Sequence, residues 1–286
     1  MRLYSVAVAS LRLALYLGWT SLLLPVQILA VNLPGRFKKR FPRFYHHSLW
    51  RPLGFKVRVH GEPSLIEPTL FVSNHTSYLD ITILGGLIEG SFVAKREVAG
   101  WPLFGLLAKL QRTAFIDRRR GAIADGRDNI AGRLADGDNL ILFPEGTSND
   151  GNRVLAFKSA LFAAVDAAGA KDLPVQPVSI AYTALDGMPL GRALRPFVAW
   201  YGDMELAPHL FVLLGLGHTT IDVVFHPPVA AADFASRKDL ARHCHAAVAG
   251  GVAGALTGRR GMILGACLSS RVWIDVRDRI LFSGWP

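Results

Sequence analysis

Residues 69–80 read TLFVSNHTSYLD, a charge-free apolar run that passes directly into Asn74 and His75, with Asp80 five residues after the histidine. Uncharged runs of β-branched and aromatic residues are typical of strands buried in a sheet. In α/β proteins, ligands bind beyond the carboxyl ends of such strands. Imidazole, with a pKa near ~6.5, can accept a proton from a hydroxyl group, and a carboxylate on its other nitrogen fixes the tautomer. Taken alone, however, a histidine near an aspartate is more often a structural pair than a catalytic one.

A second strand-like run ends in a similar way, at Leu142-Phe143-Pro144-Glu145-Gly146-Thr147. Proline and glycine on either side of a glutamate define a tight turn that presents a carboxylate and backbone N–H groups. Taken alone, this turn is equally compatible with an ordinary surface loop.

Short strand-like runs alternate with helical patterns along the chain, and helix-spaced apolar residues occur at 121–136 and 156–169. Strands that alternate with helices predict an α/β sheet with helices on its faces. The apolar stretch 206–217 has 12 residues, too few to span a membrane, and is interpreted as a buried helix. The predicted strands are KVRVH (56–60), TLFVS (69–73), SFVAK (91–95), TAFI (113–116), NLILF (139–143), VQPVSIAY (175–182) and IDVVFH (221–226).

The net charge of +10 belongs to the N-terminal segment, because residues 1–60 contain ten Lys and Arg and no Asp or Glu. The remaining 22 basic residues are balanced by 22 acidic ones, so the rest of the chain is neutral and no nucleic-acid-binding face is predicted. Two cysteines supply neither a disulfide framework nor a thiolate metal cluster. We expect Cys244, in RHCHAAV, to be a helix-surface residue rather than a metal ligand or a catalytic group.

Residues 13–33 form a charge-free apolar stretch of 21 residues, long enough for a helix to cross the ~30 Å hydrocarbon core. Basic residues follow at once in GRFKKRFPRF, which by the positive-inside rule predicts a cytoplasmic flank that also attracts anionic headgroups. A cleaved signal peptide is the competing interpretation, but the apolar run is longer than usual and no A-x-A site follows. A bilayer-crossing helix and a hairpin bent at Pro25 within one leaflet both remain open.

Together, Asn-His-x4-Asp and Phe-Pro-Glu-Gly-Thr some 65 residues later resemble the glycerolipid acyltransferase family, which includes the 1-acylglycerol-3-phosphate acyltransferases. The block AKREVAGWPLFG…FIDR, with Lys95, Pro102, Gly105 and Arg118, and the segment LPVQPV at 173–178 are similar to two further family blocks. The resemblance covers roughly residues 45–230. It implies a central mixed sheet flanked by helices, as in glycerol-3-phosphate acyltransferase.

The resemblance also implies a direct transfer without an acyl-enzyme, a metal or a cofactor. His75, oriented by Asp80, would act as general base on a lysolipid hydroxyl that attacks the thioester of acyl carrier protein or coenzyme A. Substrate binding is expected of six residues, with Arg118 meeting an anionic headgroup. These are Asn74, Lys95, Arg118, Glu145, Gly146 and Thr147.

Four segments follow from these features: a membrane anchor at 1–34, a basic juxtamembrane linker with the first strand at 35–60, a catalytic domain at 61–260 and a C-terminal tail at 261–286. The anchor predicts an enzyme of the inner (cytoplasmic) membrane, in contact with membrane lipids, whose catalytic domain faces the cytoplasm.

One position departs from the family pattern, because Ser148 stands where an arginine commonly follows the Glu-Gly-Thr motif. The lost cation weakens the case for a phosphate acceptor, although Arg153 or Lys158 could replace it. Together with LAFKSALF at 155–162 and RPFVAWYGDMELAPHL at 195–210, the variant resembles the subgroup that acylates lyso-ornithine lipid. Lysophosphatidic acid is the first expected acceptor and lyso-ornithine lipid the alternative.

Two other functions are weighed against acyl transfer. A lipid hydrolase would have to use Ser77 with His75 and Asp80, but the chain lacks a G-x-S-x-G elbow and three groups within six residues cannot easily form a relay. A catalytically silent membrane-binding module would need only the basic N-terminal flank, and it leaves the presence of His75, Asp80 and Glu145 unexplained.

Overall fold

The computed structural model describes residues 4–33, 35–116, 123–163, 165 and 172–259. Within these residues the seven predicted strands are present, each within a few residues of its expected bounds, and two further two-residue strands pair with the two ends of β6. The strands are β1 Phe55–His60, β2 Leu70–Ser73, β3 Ser91–Lys95, β4 Ala114–Ile116, β5 Leu140–Leu142, β6 Pro174–Leu185, β7 Met188–Pro189, β8 Thr219–Phe225 and β9 Val229–Ala230.

The strands form one mixed sheet in the order β1-β8-β6-β2-β5-β3-β4. The strands from β6 to β4 run parallel to one another, whereas β8 pairs antiparallel with β6, and β1 lies parallel to β8. The prediction of a central mixed sheet flanked by helices is confirmed. Because β2 and β5 are parallel neighbours, the segments that leave their carboxyl ends must meet at the same edge.

Alternate side chains of the central strands face two separate cores, as the two-residue period of a strand requires. Phe71 of β2 and Ile141 of β5 lie in the core on one face, whereas Leu70 and Leu140 belong to the core on the other. Strands buried on both faces read as continuous apolar runs, which is why TLFVS and NLILF were recognisable in the sequence.

Seven helices cover these faces within the described residues. Helix α2 forms where the sequence indicated a basic linker; it packs on α3, where Gly85 and Gly86 leave room for the rings of His46 and Trp50. The helices are α1 Val6–Val31, α2 Phe37–Leu49, α3 Leu79–Leu87, α4 Phe104–Leu110, α5 Ile123–Ala135, α6 Leu206–Leu214 and α7 Arg237–Thr257.

The N-terminal helix α1 begins seven residues before the predicted apolar stretch and is long and apolar enough to cross a bilayer. Its outward side exposes large apolar residues, including Leu11, Leu22 and Leu29, each more than 60% accessible. Its inward side is docked on the protein: the Arg12 guanidinium donates to the carbonyl oxygens of Leu214 and Leu216, at 3.0 and 2.7 Å. Arginine thereby caps the carbonyl end of α6, where a cation is favoured by the helix dipole.

Other sequence expectations have mixed outcomes. Stretch 206–217 contributes helix α6, which packs against α1, so the prediction of a helix is correct. The prediction that the helix is buried holds only for its last two residues, Leu213 and Leu214. Within the predicted helix at 156–169, Ser159–Phe162 form a short 3-10 helix, and residues 164 and 166–169 lie outside the described residues. The predicted tail from residue 261 onward also lies outside them. The expectation for Cys244 was wrong: it is fully buried in the core beneath α7, and burial raises the pKa of its thiol to about 12.

Candidate active site

The loops that follow β2 and β5 meet at one edge of the sheet and are joined by a direct hydrogen bond. The backbone N–H of His75 donates to the Glu145 carboxylate at 3.0 Å, although the two residues are 70 positions apart in the chain. The two motifs singled out in the sequence therefore form one site.

Asp80 lies in the first turn of α3 with its carboxylate completely buried. One oxygen, Oδ2, accepts from His75 Nδ1 at 2.9 Å and from the backbone N–H groups of Thr76 and Ser77 at 2.7 and 2.9 Å. The other oxygen accepts from the Tyr182 hydroxyl at 2.7 Å. A carboxylate surrounded by donors can only accept, so Nδ1 of His75 carries a proton, and in the neutral imidazole Nε2 is therefore the unprotonated nitrogen.

The ring of His75 is held from the side as well. It stacks on Phe143, with ring centroids 4.2 Å apart and planes 17° apart, and Phe143 in turn stacks on Phe92 at 6.0 Å. The His75 side chain is 20% exposed, and Nε2 forms no hydrogen bond with the part of the chain that the structure describes. The geometry therefore offers one fixed, unprotonated imidazole nitrogen at the sheet edge.

Glu145 is buried, with 1% of its surface accessible, and both of its oxygens are occupied by the protein itself. One accepts from His75 N, and the other accepts from Asn149 Nδ2 at 2.7 Å and from Leu155 N at 3.2 Å. Burial raises the pKa of Glu145 to about 7, against the opposing effect of these hydrogen bonds. In this geometry the carboxylate braces the His75 loop, and it has no free oxygen for an acceptor molecule.

The raised pKa of Glu145 predicts a dependence of stability on pH. Below pH 4.5 the group is protonated in both the folded and unfolded states; between pH 4.5 and about 7 only the unfolded state ionises, so the folded state loses stability as the pH rises. The loss amounts to about 3 kcal/mol for a shift of this size. We expect Glu145→Gln, which is neutral at every pH, to remove this slope in denaturation curves measured in detergent micelles between pH 5 and 8.

The exposed carboxylate of Glu62 provides the matched control, since Glu62→Gln should leave the slope of the wild type intact. An identical slope in the Glu145→Gln variant and the wild type would mean that Glu145 does not titrate in this range.

The remaining predicted site residues are placed differently from one another. Asn74 is buried, and its carboxamide is paired with the backbone N–H and carbonyl of Ile180, both at 2.9 Å, so it joins β2 to β6. Gly146 adopts φ +69°, a conformation that favours glycine, and thereby turns the loop outward. Thr147 and Lys95 are exposed at the ends of β5 and β3. Arg118 lies outside the described residues.

Two residues that donate hydrogen bonds to the carboxylates of the site were not predicted from the sequence. Tyr182 lay within the predicted strand VQPVSIAY, and nothing in that pattern marks a hydroxyl that reaches across the sheet to Asp80. Asn149 follows Glu145 by four residues and was passed over as part of a polar loop. Only the folded chain brings these side chains to the carboxylates that they satisfy.

An apolar cavity of about 170 Å³ lies beside the site, enclosed by α1, α2, α3, α4 and α6. Phe92 and Tyr78 form part of its wall, and Phe92 stacks on the Phe143 ring that also carries His75, so the cavity adjoins the imidazole. A cavity with this lining can hold a hydrocarbon chain but not a polar one. Its apolar wall includes Leu23, Leu24, Leu49, Phe104, Leu107 and Leu210.

Comparisons with known proteins agree with this geometry. A family model described as acyltransferase matches residues 56–181. The lyso-ornithine lipid O-acyltransferase of Brucella abortus (strain 2308) is 44% identical over 264 residues, which cover 91% of this chain and 97% of that protein. The 1-acyl-sn-glycerol-3-phosphate acyltransferase of Neisseria gonorrhoeae is 34% identical over 63% of this chain and 67% of its own length.

Among solved structures, the 1-acyl-sn-glycerophosphate (LPA) acyltransferase of Thermotoga maritima has a similar fold. The TM-score is 0.60 at 23% identity, and the match covers 87% of this chain and 97% of that chain. At this identity the likeness supports the fold alone.

Proposed function

Because the chain belongs to the acyltransferase family, we propose that this acyltransferase moves a fatty acyl group from a thioester onto the hydroxyl of lyso-ornithine lipid. The observation that carries the choice of acceptor is the near full-length similarity to a lyso-ornithine lipid O-acyltransferase, combined with Ser148 at the position where an arginine commonly contacts phosphate. Lysophosphatidic acid, the first expectation from the motifs, is the second candidate and is favoured by the similarity to the Neisseria enzyme.

In the proposed reaction, Nε2 of His75 takes the proton of the acceptor hydroxyl while the hydroxyl oxygen attacks the thioester carbonyl. The new O–C ester bond forms, the C–S bond breaks, and the proton held by His75 passes to the departing thiolate. Asp80 holds Nδ1 and faces the positive charge that develops on the ring. The hydrogen bonds that fix the tautomer support this role for His75.

The apolar cavity is the proposed site of the acyl chain. Its wall is shared between the catalytic domain and the N-terminal helices, so the chain would enter between the sheet edge and α1. Either acyl carrier protein or coenzyme A can present the thioester, since only the acyl chain needs to be buried. Lys95 and Thr147, which are exposed at the sheet edge, are proposed to meet the polar parts of the substrates. Arg118, which lies outside the described residues, is proposed from the sequence motif to meet an anionic headgroup.

We further propose that α1 and α2 attach the catalytic domain to the cytoplasmic face of the inner membrane. The large apolar side chains of α1 face outward, while its other side is tied to the domain by Arg12 and by the 2.6 Å hydrogen bond from Gln27 Nε2 to the carbonyl oxygen of Leu110. The basic residues of α2 then lie at the headgroup level. A helix so tied to the domain supports a retained anchor at the membrane surface rather than a cleaved signal peptide.

The identity of the acceptor is tested with membranes that contain the protein. They are supplied with labelled acyl-acyl carrier protein and with either lyso-ornithine lipid or lysophosphatidic acid. We expect the wild type to prefer lyso-ornithine lipid, and we expect Ser148→Arg to shift the ratio of the two activities toward lysophosphatidic acid by about tenfold, the size of one charge-assisted hydrogen bond. The ratio of initial rates at limiting acceptor concentration is the measured quantity.

Ser148→Gln is the control, because it adds length without charge and should leave the ratio near that of the wild type. Transfer by the wild type mainly to lysophosphatidic acid would mean that another cation replaces the missing arginine. An unchanged ratio in the Ser148→Arg variant would show that position 148 does not set the acceptor.

A lipid hydrolase finds no support in the site geometry. The Ser77 hydroxyl is buried and forms no hydrogen bond to the described residues, so His75 does not activate it.

A further inference from the structure

The segment between β7 and α6 crosses directly over the loop that carries His75. The backbone N–H of Trp200 donates to the carbonyl oxygen of Thr76, the residue after His75, at 3.0 Å. This segment contains residues 195–205 of RPFVAWYGDMELAPHL, which belong neither to the catalytic pair nor to the cavity wall; of this stretch, only Leu206 and Leu210 line the cavity. The Trp200–Thr76 hydrogen bond holds the segment against the backbone of the His75 loop.

Arg195 lies near Thr76, since both side chains approach Gly151, and its guanidinium is partly free. Its Nε donates to Leu190 O at 3.2 Å and its Nη1 to Asn152 Oδ1 at 2.7 Å, while Nη2 has no hydrogen bond to the described residues. It packs close to Gly151, where an added Cβ would lie 3.0 Å from the Thr76 methyl and 3.9 Å from the Arg195 Cβ. A guanidinium fixed at two points and open at the third suits a planar carboxylate.

The surroundings of Arg195 carry an excess of positive charge. Hydrogen bonds from Asn152, and then the charges of the exposed Arg153 and Arg192, hold the pKa of Asp150 below its usual value. Asp150 also interacts with the charge of Arg195, so three arginines lie near this carboxylate. Such a patch attracts an anionic group.

Aromatic rings cluster around Trp200, whose backbone N–H donates to Thr76. Trp200 contacts Tyr78 and Trp101 edge to face, with centroids 5.9 Å apart in each pair and planes at 65° and 85°. All three rings are partly exposed, and Tyr78 and Trp101 also line the acyl cavity. Two nearly perpendicular indole faces are a favourable surface for an alkylammonium group.

We propose that this segment forms the headgroup site for a zwitterionic amino-acid lipid, in which Arg195 binds the carboxylate and Trp200 with Trp101 faces the ammonium group. An ornithine acylated on one amine retains one carboxylate and one ammonium, which match the guanidinium of Arg195 and the indole rings of Trp200 and Trp101. Lysophosphatidic acid, with a phosphate and no cation, would leave the aromatic side unused. The inference rests on the proposed lyso-ornithine acceptor and adds the residues that recognise it.

The test uses the full-length protein in membranes with three acceptors: lyso-ornithine lipid, its carboxyl methyl ester and its N-acetylated amine. The ester removes the anion and the acetyl group removes the cation. We expect the wild type to show an apparent KM raised about tenfold or more for each analogue, with kcat changed little, because charge-assisted contacts to the headgroup are made equally in the ground and transition states.

The variants Arg195→Gln and Trp200→Leu are expected to differ in which analogue they no longer distinguish from the parent lipid. Arg195→Gln should lose the discrimination between free acid and ester yet keep the sensitivity to N-acetylation, and Trp200→Leu should do the reverse. Arg195→Lys retains a cation and should recover part of the discrimination. Arg242→Gln, on the exposed side of α7, is the matched control and should resemble the wild type.

Comparing the two variants with all three acceptors separates headgroup recognition from folding, since a purely structural defect would lower the rate of acyl transfer to all three acceptors equally. If Arg195→Gln keeps the wild-type preference for the free acid, or if the wild type accepts both analogues as well as the parent lipid, the headgroup site is wrong. A wild type that acylates lysophosphatidic acid and not lyso-ornithine lipid would refute the proposed acceptor itself, and the headgroup site with it.

Discussion

Replacing His75 with alanine is expected to lower the rate of acyl transfer by about a thousandfold or more, because the acceptor hydroxyl loses its general base. The structure leaves His75 with one fixed, unprotonated nitrogen, and its Nδ1 is committed to Asp80. The loss should appear in kcat and in kcat/KM alike, since the proton is transferred only in the transition state. Transfer of labelled acyl chains to lyso-ornithine lipid by membranes containing the variant measures the effect.

Two controls make this result specific. His243→Ala changes an exposed histidine on α7 and should leave the rate near that of the wild type. Because His75 also stacks on Phe143, His75→Gln fills more of the vacated space, and both position-75 variants should retain the thermal unfolding temperature of the wild type within a few degrees. Acyl transfer at an undiminished rate by either variant would contradict the role of His75 as general base.

Asp80→Asn is expected to lower kcat by about a hundredfold to ten-thousandfold, the range seen when the carboxylate of a histidine pair is neutralised. The fold can accept the substitution: an asparagine oxygen placed at the Oδ2 position can still accept from His75, Thr76 and Ser77. What disappears is the negative charge beside the imidazolium that forms during the reaction. Kinetics at saturating acceptor, with unfolding measured in parallel, separate this effect from a loss of folded protein.

Tyr182→Phe is the matched control for Asp80, because it removes one donor to the same buried carboxylate and leaves the charge in place. We expect a decrease in rate of no more than about tenfold, in line with the loss of a single hydrogen bond to a charged group. The double variant His75→Ala/Asp80→Asn should be hardly slower than His75→Ala alone, since the two groups act as a unit. Multiplicative effects would show that Asp80 acts independently of His75.

The sequence contained enough local information to predict the sheet. TLFVS and NLILF are short, charge-free and rich in β-branched and aromatic residues because they are buried on both faces, and the structure confirms both as central strands. Helix α2 was not predicted, because its dense basic charges and Pro42 mask the pattern of a surface helix and resemble a linker. Cys244 was assigned to the helix surface because its polar neighbours say little about which face of α7 meets the sheet.

The candidate site was predictable only where one local segment contains both partners. His75 and Asp80 lie five residues apart, and a loop followed by the first turn of a helix brings them together regardless of the rest of the chain. Glu145 was recognised as a motif, but the sequence implied that it places the acceptor. The structure directs its carboxylate inward to His75 N, because the parallel pairing of β2 and β5 sets the two loops side by side.

By itself, the sequence of this protein determined the class of the fold, the chemistry of the imidazole–carboxylate pair and the apolar N-terminal helix, since each depends on residues close together in the chain. Tertiary structure alone decided what those pieces face: the Tyr182 hydroxyl on Asp80, the cavity shared by α1 and the residues around the sheet, and Arg195 and Trp200 near Thr76. The hydrogen bonds of Tyr182 to Asp80 and of Trp200 to Thr76 join residues 102 and 124 positions apart. No local pattern encodes such pairings, because they exist only once strand order and helix packing have fixed which distant segments become neighbours.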